Sequence, residues 1–97
     1  MSVVLQKSTN PNKKYMVTIN DHKTVHFGAR GYSDYTIHHD INRKMRYIAR
    51  HQDKEDWNNI NTAGFWSRWI LWNLPSFSAS VHDTEKRFNL KIKVINS

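Results

Sequence analysis

Two runs of alternating apolar and polar residues, set either side of a polar break, constrain this chain more than any other feature. In the first, Tyr15, Val17 and Ile19 alternate with Lys14, Met16 and Thr18; after Asn20 to Lys23, the alternation resumes from Thr24 to Phe27. A period of two lines one side of a pleated strand, and a helix cannot bury such a set on one face. The pair predicts a β-hairpin with strands near 13–19 and 24–28, ended by Gly28 and Gly31. Upstream, the β-prone Val3, Val4 and Leu5 run into the turn formers Ser8, Thr9, Asn10, Pro11 and Asn12, so residues 1–12 read as an N-terminal arm or edge strand ahead of a domain over 13–97. At the far end Leu90, Ile92 and Val94 alternate with Lys91 and Lys93, a strand able to join the hairpin.

The period changes between these strands. Asp40 is a good N-cap for a helix to about His51, in which Ile41, Met45 and Ile48 share one face, Arg43, Arg46 and Arg50 the opposite one, and Lys44, Tyr47 and His51 a flank between them. Residues 52–59 read as a polar loop holding one large side chain, Trp57. Thr62 can cap a second helix through Trp72, stopped by Asn73, Leu74 and Pro75, with Phe65, Trp66, Trp69, Ile70 and Trp72 over a wide arc and Leu71 opposite. Ser76 can cap a third, to about Phe88, with Phe77, Val81, Thr84 and Phe88 on one face. The fold class is therefore α+β: a small antiparallel-leaning sheet, made of the N-terminal hairpin and the C-terminal strand, covered by about three helices.

Composition narrows the chemistry. The 97 residues make one domain, and the absence of cysteine excludes disulfides, thiolate metal sites and a thiol nucleophile. The longest apolar run, Trp69 to Trp72, falls far short of the roughly 20 residues of a membrane-spanning helix, and Met1 to Lys7 is too short for a secretory signal. Gly28, Gly31 and Gly64 are too scattered for a nucleotide-binding loop. His38, His39, Asp34, Asp40 and His51 fall close together, but their spacing to Asn58 and His82 fits a histidine–asparagine nuclease poorly, so they read as surface and capping residues. No enzyme activity, catalytic residue, metal or cofactor is expected.

Charge and aromatic content point to binding instead. Fifteen Lys and Arg against eight Asp and Glu give a net charge of +7, which attracts phosphate or acidic protein surfaces. Residues 41–51 hold the densest basic patch: Arg43, Lys44, Arg46 and Arg50, with Arg30 nearby, contain no acid among them. Guanidinium groups one helical turn apart suit bidentate contacts to phosphate or carboxylate. Trp57 in its polar loop and Trp66 at the edge of the aromatic arc, with Arg68 beside them, are the anchors most suited to a partner, and Leu71 is a further exposed apolar candidate.

The runs His26-Phe-Gly-Ala-Arg-Gly-Tyr-Ser-Asp-Tyr-Thr36, Arg43-Lys-Met-Arg-Tyr-Ile-Ala-Arg-His51, Thr62-Ala-Gly-Phe-Trp-Ser-Arg-Trp-Ile-Leu-Trp-Asn73 and Pro75-Ser76 resemble a family of small basic proteins of large DNA viruses, those of chlorella viruses and mimivirus relatives. The likeness spans about two thirds of the chain and departs from the pattern at Ile41, where proline would follow Asp40. It implies a setting rather than a mechanism: a layered virion, assembled in host cytoplasm or nucleus. The protein is then expected to be a minor capsid or internal scaffold component that binds other virion proteins. The alternative is a protein that binds the packaged genome, DNA or RNA, through its phosphates.

Overall fold

In the computed structural model, described over residues 1–95, the alternating runs form strands β2 (Lys13–Ile19) and β3 (Lys23–Ala29), antiparallel with Tyr15 opposite Phe27 and Val17 opposite Val25. Asn20 and Asp21 make the reversal in the left-handed conformation, which their short polar side chains tolerate. The first strand, β1 (Ser2–Lys7), is not the expected arm or edge strand. It lies inside a four-stranded sheet of order β3-β2-β1-β4, antiparallel to β2 and parallel to β4 (Lys91–Val94). Val3 and Leu5 are accordingly buried. Two of the three strand pairs are antiparallel, as in the antiparallel-leaning sheet that was expected, and the one parallel pair, which makes the sheet mixed, has the intervening chain, helices included, as the long crossover it requires. Residues 96 and 97, at the end of the expected 13–97 domain, lie outside the described residues.

Three helices begin at the residues whose side chains can bond the free amides of a first turn. Asp40 caps α2 (Ile41–His51), Thr62 caps α3 (Ala63–Trp66) and Ser76 caps α4 (Phe77–Phe88). A single turn not foreseen from sequence, α1 (Tyr35–His38), is capped by Asp34 and closed by His39 in the left-handed conformation. The expected second helix changes character halfway, because α3 passes into a π-helical turn, Ser67–Leu71, closed by the Trp72 amide donating to the Ser67 carbonyl at 3.0 Å. A π turn brings residue i over i+5. Trp66 and Leu71 therefore face inward together, and Leu71, placed on the exposed side by ordinary helical spacing, is only 2% exposed.

The core fills one side of the sheet. Val3, Leu5, Val17, Ile19, Val25 and Phe27 meet Phe65, Trp66, Ile70, Leu71 and Val81 there. Gly28, at φ +79°, makes this approach possible: a Cβ at that position would lie 2.8 Å from the Leu71 Cδ1 and 3.2 Å from the Lys14 Cβ.

Candidate functional site

The eight side chains picked out for partner contact divide into those that hold the fold and those that face solvent. Trp66 is fully buried: its indole N–H donates to the Ile60 carbonyl at 2.7 Å, and its ring lies 6.4 Å from that of Phe27 and 4.9 Å from that of Phe65. It is a core residue, not an anchor. Arg68 is also spent inside the molecule. Its guanidinium lies 4.4 Å from the centre of the Trp69 ring and 5.3 Å from that of Trp57, and its Nη1 donates to the Trp72 carbonyl at 2.9 Å. Burial lowers its pKa, an effect that a charged guanidinium tolerates only because of these aromatic and carbonyl contacts.

Lys44 turns inward as well. Its Nζ donates to the Asn73 carbonyl at 2.6 Å and sits 5.1 Å from the Tyr35 ring centre, and burial, followed by the charge of Arg68, lowers its pKa. Trp57 is half-buried. Its ring is parallel to Tyr47 at 6.4 Å, and its carbonyl accepts from the Trp69 indole at 2.8 Å. Arg30, Arg43, Arg46 and Arg50 remain exposed, and among the described residues none of them pairs with a carboxylate within 4 Å.

What turns α2 is a residue to which sequence periodicity assigned only a flank. Tyr47, 6% exposed, stacks on Trp72 with ring centres 4.5 Å apart and planes 2° from parallel, and His51 stacks on Tyr47 with ring centres 4.4 Å apart. Trp72 also packs against His38 at 5.4 Å. Burial, then the charge of Glu55, raises the pKa of the Tyr47 phenol. The stack offers α2 a larger aromatic contact than Ile41, Met45 and Ile48 could make, so Tyr47 and Lys44 face the body. Ile41 and Met45, which their spacing groups on one apolar face, are 51% and 56% exposed, and Ile37 of α1 is 61% exposed. The outer surface of α2 thus carries arginines along one side and aliphatic side chains along the other.

Behind α2 lies a cleft of about 310 Å³, walled by Lys14, Asp34, Tyr47, His51, Glu55 and Ser67 among others. The buried Asp34 takes the Lys14 ammonium on Oδ2 and the Thr36 amide and hydroxyl on Oδ1. His51 Nδ1 lies 2.9 Å from Glu55 Oε2, at an angle too bent for a hydrogen bond. The aspartates and histidines that sequence grouped together serve structure here: Asp34 and Asp40 cap helices, and His38 Nδ1 accepts from the Asp40 amide at 2.9 Å. Among the described residues no three His, Asp or Glu side chains converge as a metal ion would require, and no helix is long and apolar enough to cross a membrane.

Fold and surface together define a small α+β domain whose free surface chemistry concentrates on one helix. The chain belongs to a family of unknown function (DUF5754), whose model matches residues 3–51, the stretch from β1 through α2 that includes this surface. No curated protein and no solved structure matches it.

Proposed function

We propose that this protein is a non-enzymatic structural component of a large DNA virus particle, holding other virion proteins through the outer surface of α2. The observation that carries the reading is the combination on that helix of exposed Arg43, Arg46 and Arg50 with the exposed aliphatic residues Ile41 and Met45, and with exposed Ile37 on the preceding turn α1. A helix that exposes apolar groups as well as arginines has the composition of a protein-binding surface, whereas contact with phosphate alone would have no use for the aliphatic side. The viral setting rests on the resemblance over residues 25–88.

The test is a photo-crosslinking residue placed at Arg46 in virus-infected cells, followed by purification of particles. The expected result is a fixed ratio of this chain to the major capsid protein and crosslinks to a virion protein that survive nuclease and high salt. Release of the chain with the genome would overturn it. A second reading, genome binding, is favoured by the spacing of three unpaired arginines about one turn apart. In that case affinity for short labelled DNA, read by fluorescence anisotropy, falls steeply as salt rises, and each Arg→Gln change at Arg43, Arg46 or Arg50 lowers the salt slope by about 0.9.

A further inference from the structure

β4 is the last strand in the order β3-β2-β1-β4, so one of its edges pairs with no strand among the described residues. The amides of Lys91 and Ile95 donate to β1, at the Met1 and Leu5 carbonyls, 3.0 and 2.9 Å away. Backbone groups alternate in direction along a strand, so those of Ile92 and Val94 point to the free side. The outward amide of Ile92 has found an acceptor in α4: Glu85 Oε2 lies 2.9 Å from it, where the carbonyl of a further strand would otherwise sit. No side chain among the described residues covers the Val94 amide in this way. Between the free edge and α4 runs an apolar groove. A cleft of about 280 Å³ floored by Phe77, Val81, Ile92 and Val94 meets, at Phe77 and Val94, a second of about 390 Å³ that reaches Leu5 and Tyr15.

We infer that the free edge of β4 takes up an extended segment of another protein, one in which apolar and acidic residues alternate. In strand addition of this kind, main-chain hydrogen bonds hold the segment and pockets beside the edge select alternate side chains. The side chains of Ile92 and Val94 stand on the groove side, and strand alternation puts those of Lys91 and Lys93 on the other face of the sheet. An added strand therefore meets apolar groups with one set of its side chains and ammonium groups with the other. Lys91, Lys93 and Lys7, at the end of the groove, are exposed, and among the described residues none of them pairs with a carboxylate within 4 Å. Carboxylates set opposite them are favoured, whereas a second copy of β4 would set lysine against lysine. No residue of α2 lines the groove, so this contact stands or falls apart from the one proposed for that helix.

The test is a titration of the isotope-labelled full chain with a hexapeptide of alternating valine and glutamate, followed by amide NMR shifts. The expected result is saturable shifts at Ile92 and Val94, with affinity at least tenfold weaker for a peptide of the same composition whose valines and glutamates are grouped. Val94→Pro removes an outward amide that the sheet does not use, a change that edge strands tolerate, and should weaken binding at least tenfold; circular dichroism verifies that the variant is folded. Glu85 supplies an independent readout. Glu85→Ala frees the Ile92 amide, whereas Glu85→Gln loses the same charge but keeps an acceptor for it, so the alanine variant should bind the peptide several-fold more tightly than the glutamine one. No shift at millimolar peptide would overturn the inference. So would equal binding by Val94→Pro and the parent, equal binding by the two Glu85 variants, or shifts confined to α2.

Discussion

Replacing Arg68 with alanine separates a guanidinium that holds the fold from those that face solvent. In the folded chain it contacts two indole rings, at 4.4 and 5.3 Å, and donates to the Trp72 carbonyl at 2.9 Å. Each partly shielded cation–π contact contributes about 0.5–1 kcal/mol. The charge-assisted hydrogen bond adds about 1.5–3 kcal/mol. Against this stands the cost of a half-buried cation whose Nε is buried without a bonding partner, about 1–2 kcal/mol that the substitution relieves. The net loss expected for Arg68→Ala is about 2 kcal/mol, or a fall in Tm of about 8–16 °C for a domain of this size. Urea unfolding followed by tryptophan fluorescence measures it, with Arg46→Ala as the comparison, expected within about 0.5 kcal/mol of the parent. Equal, small losses in both variants would refute the assignment of Arg68 to the aromatic stack.

Gly28→Ala should destabilise by about 2–4 kcal/mol, because the left-handed backbone costs about 1–2 kcal/mol and crowding against Leu71 about as much again; thermal unfolding checks it. Trp66→Phe keeps an aromatic ring but leaves the Ile60 carbonyl, in a partly buried place, without its donor, for an expected loss of about 1–3 kcal/mol in the same urea assay. His38 gives a pH dependence. Its Nδ1 accepts the Asp40 amide, and burial, then the charge of Arg43, holds its pKa below 6.5 against the opposing pull of Asp40 and Asp34. The unfolded chain therefore binds the proton first, so this contribution is fully present above about pH 6.5 and is lost as pH falls through the lower folded value. In His38→Asn, whose Oδ1 can accept the same amide, the urea midpoint should fall less between pH 7.5 and pH 5 than in the parent. An identical fall in both would remove His38 as the source.

Most of the scaffold was legible because each element carries a local signal. The hairpin follows from a period of two, and α2, α3 and α4 start one residue after Asp40, Thr62 and Ser76, as their capping chemistry requires. The place of β1 in the sheet was not legible, since Val3 and Leu5 alternate in the same way whether one edge of the strand is paired or both. Nor was the inward turn of Leu71, because one π turn shifts every later residue relative to a period of 3.6.

The rotation of α2 is the misreading with consequences for function. Periodicity weighs side chains by hydrophobicity, and on that measure Ile41, Met45 and Ile48 outrank Tyr47 and Lys44. The body of the protein offers α2 a different surface: the flat face of Trp72, a carbonyl at Asn73 and the ring of Tyr35. A tyrosine that stacks and a lysine that reaches a carbonyl match that surface better than three aliphatic groups do. The part of that match made by Trp72 and Asn73 is set by residues 25 and 29 positions along the chain from Tyr47 and Lys44 and has no trace in either segment alone. Ile41 and Met45 of the aliphatic stripe are left outside, opposite the arginines, so that α2 exposes two chemically different sides.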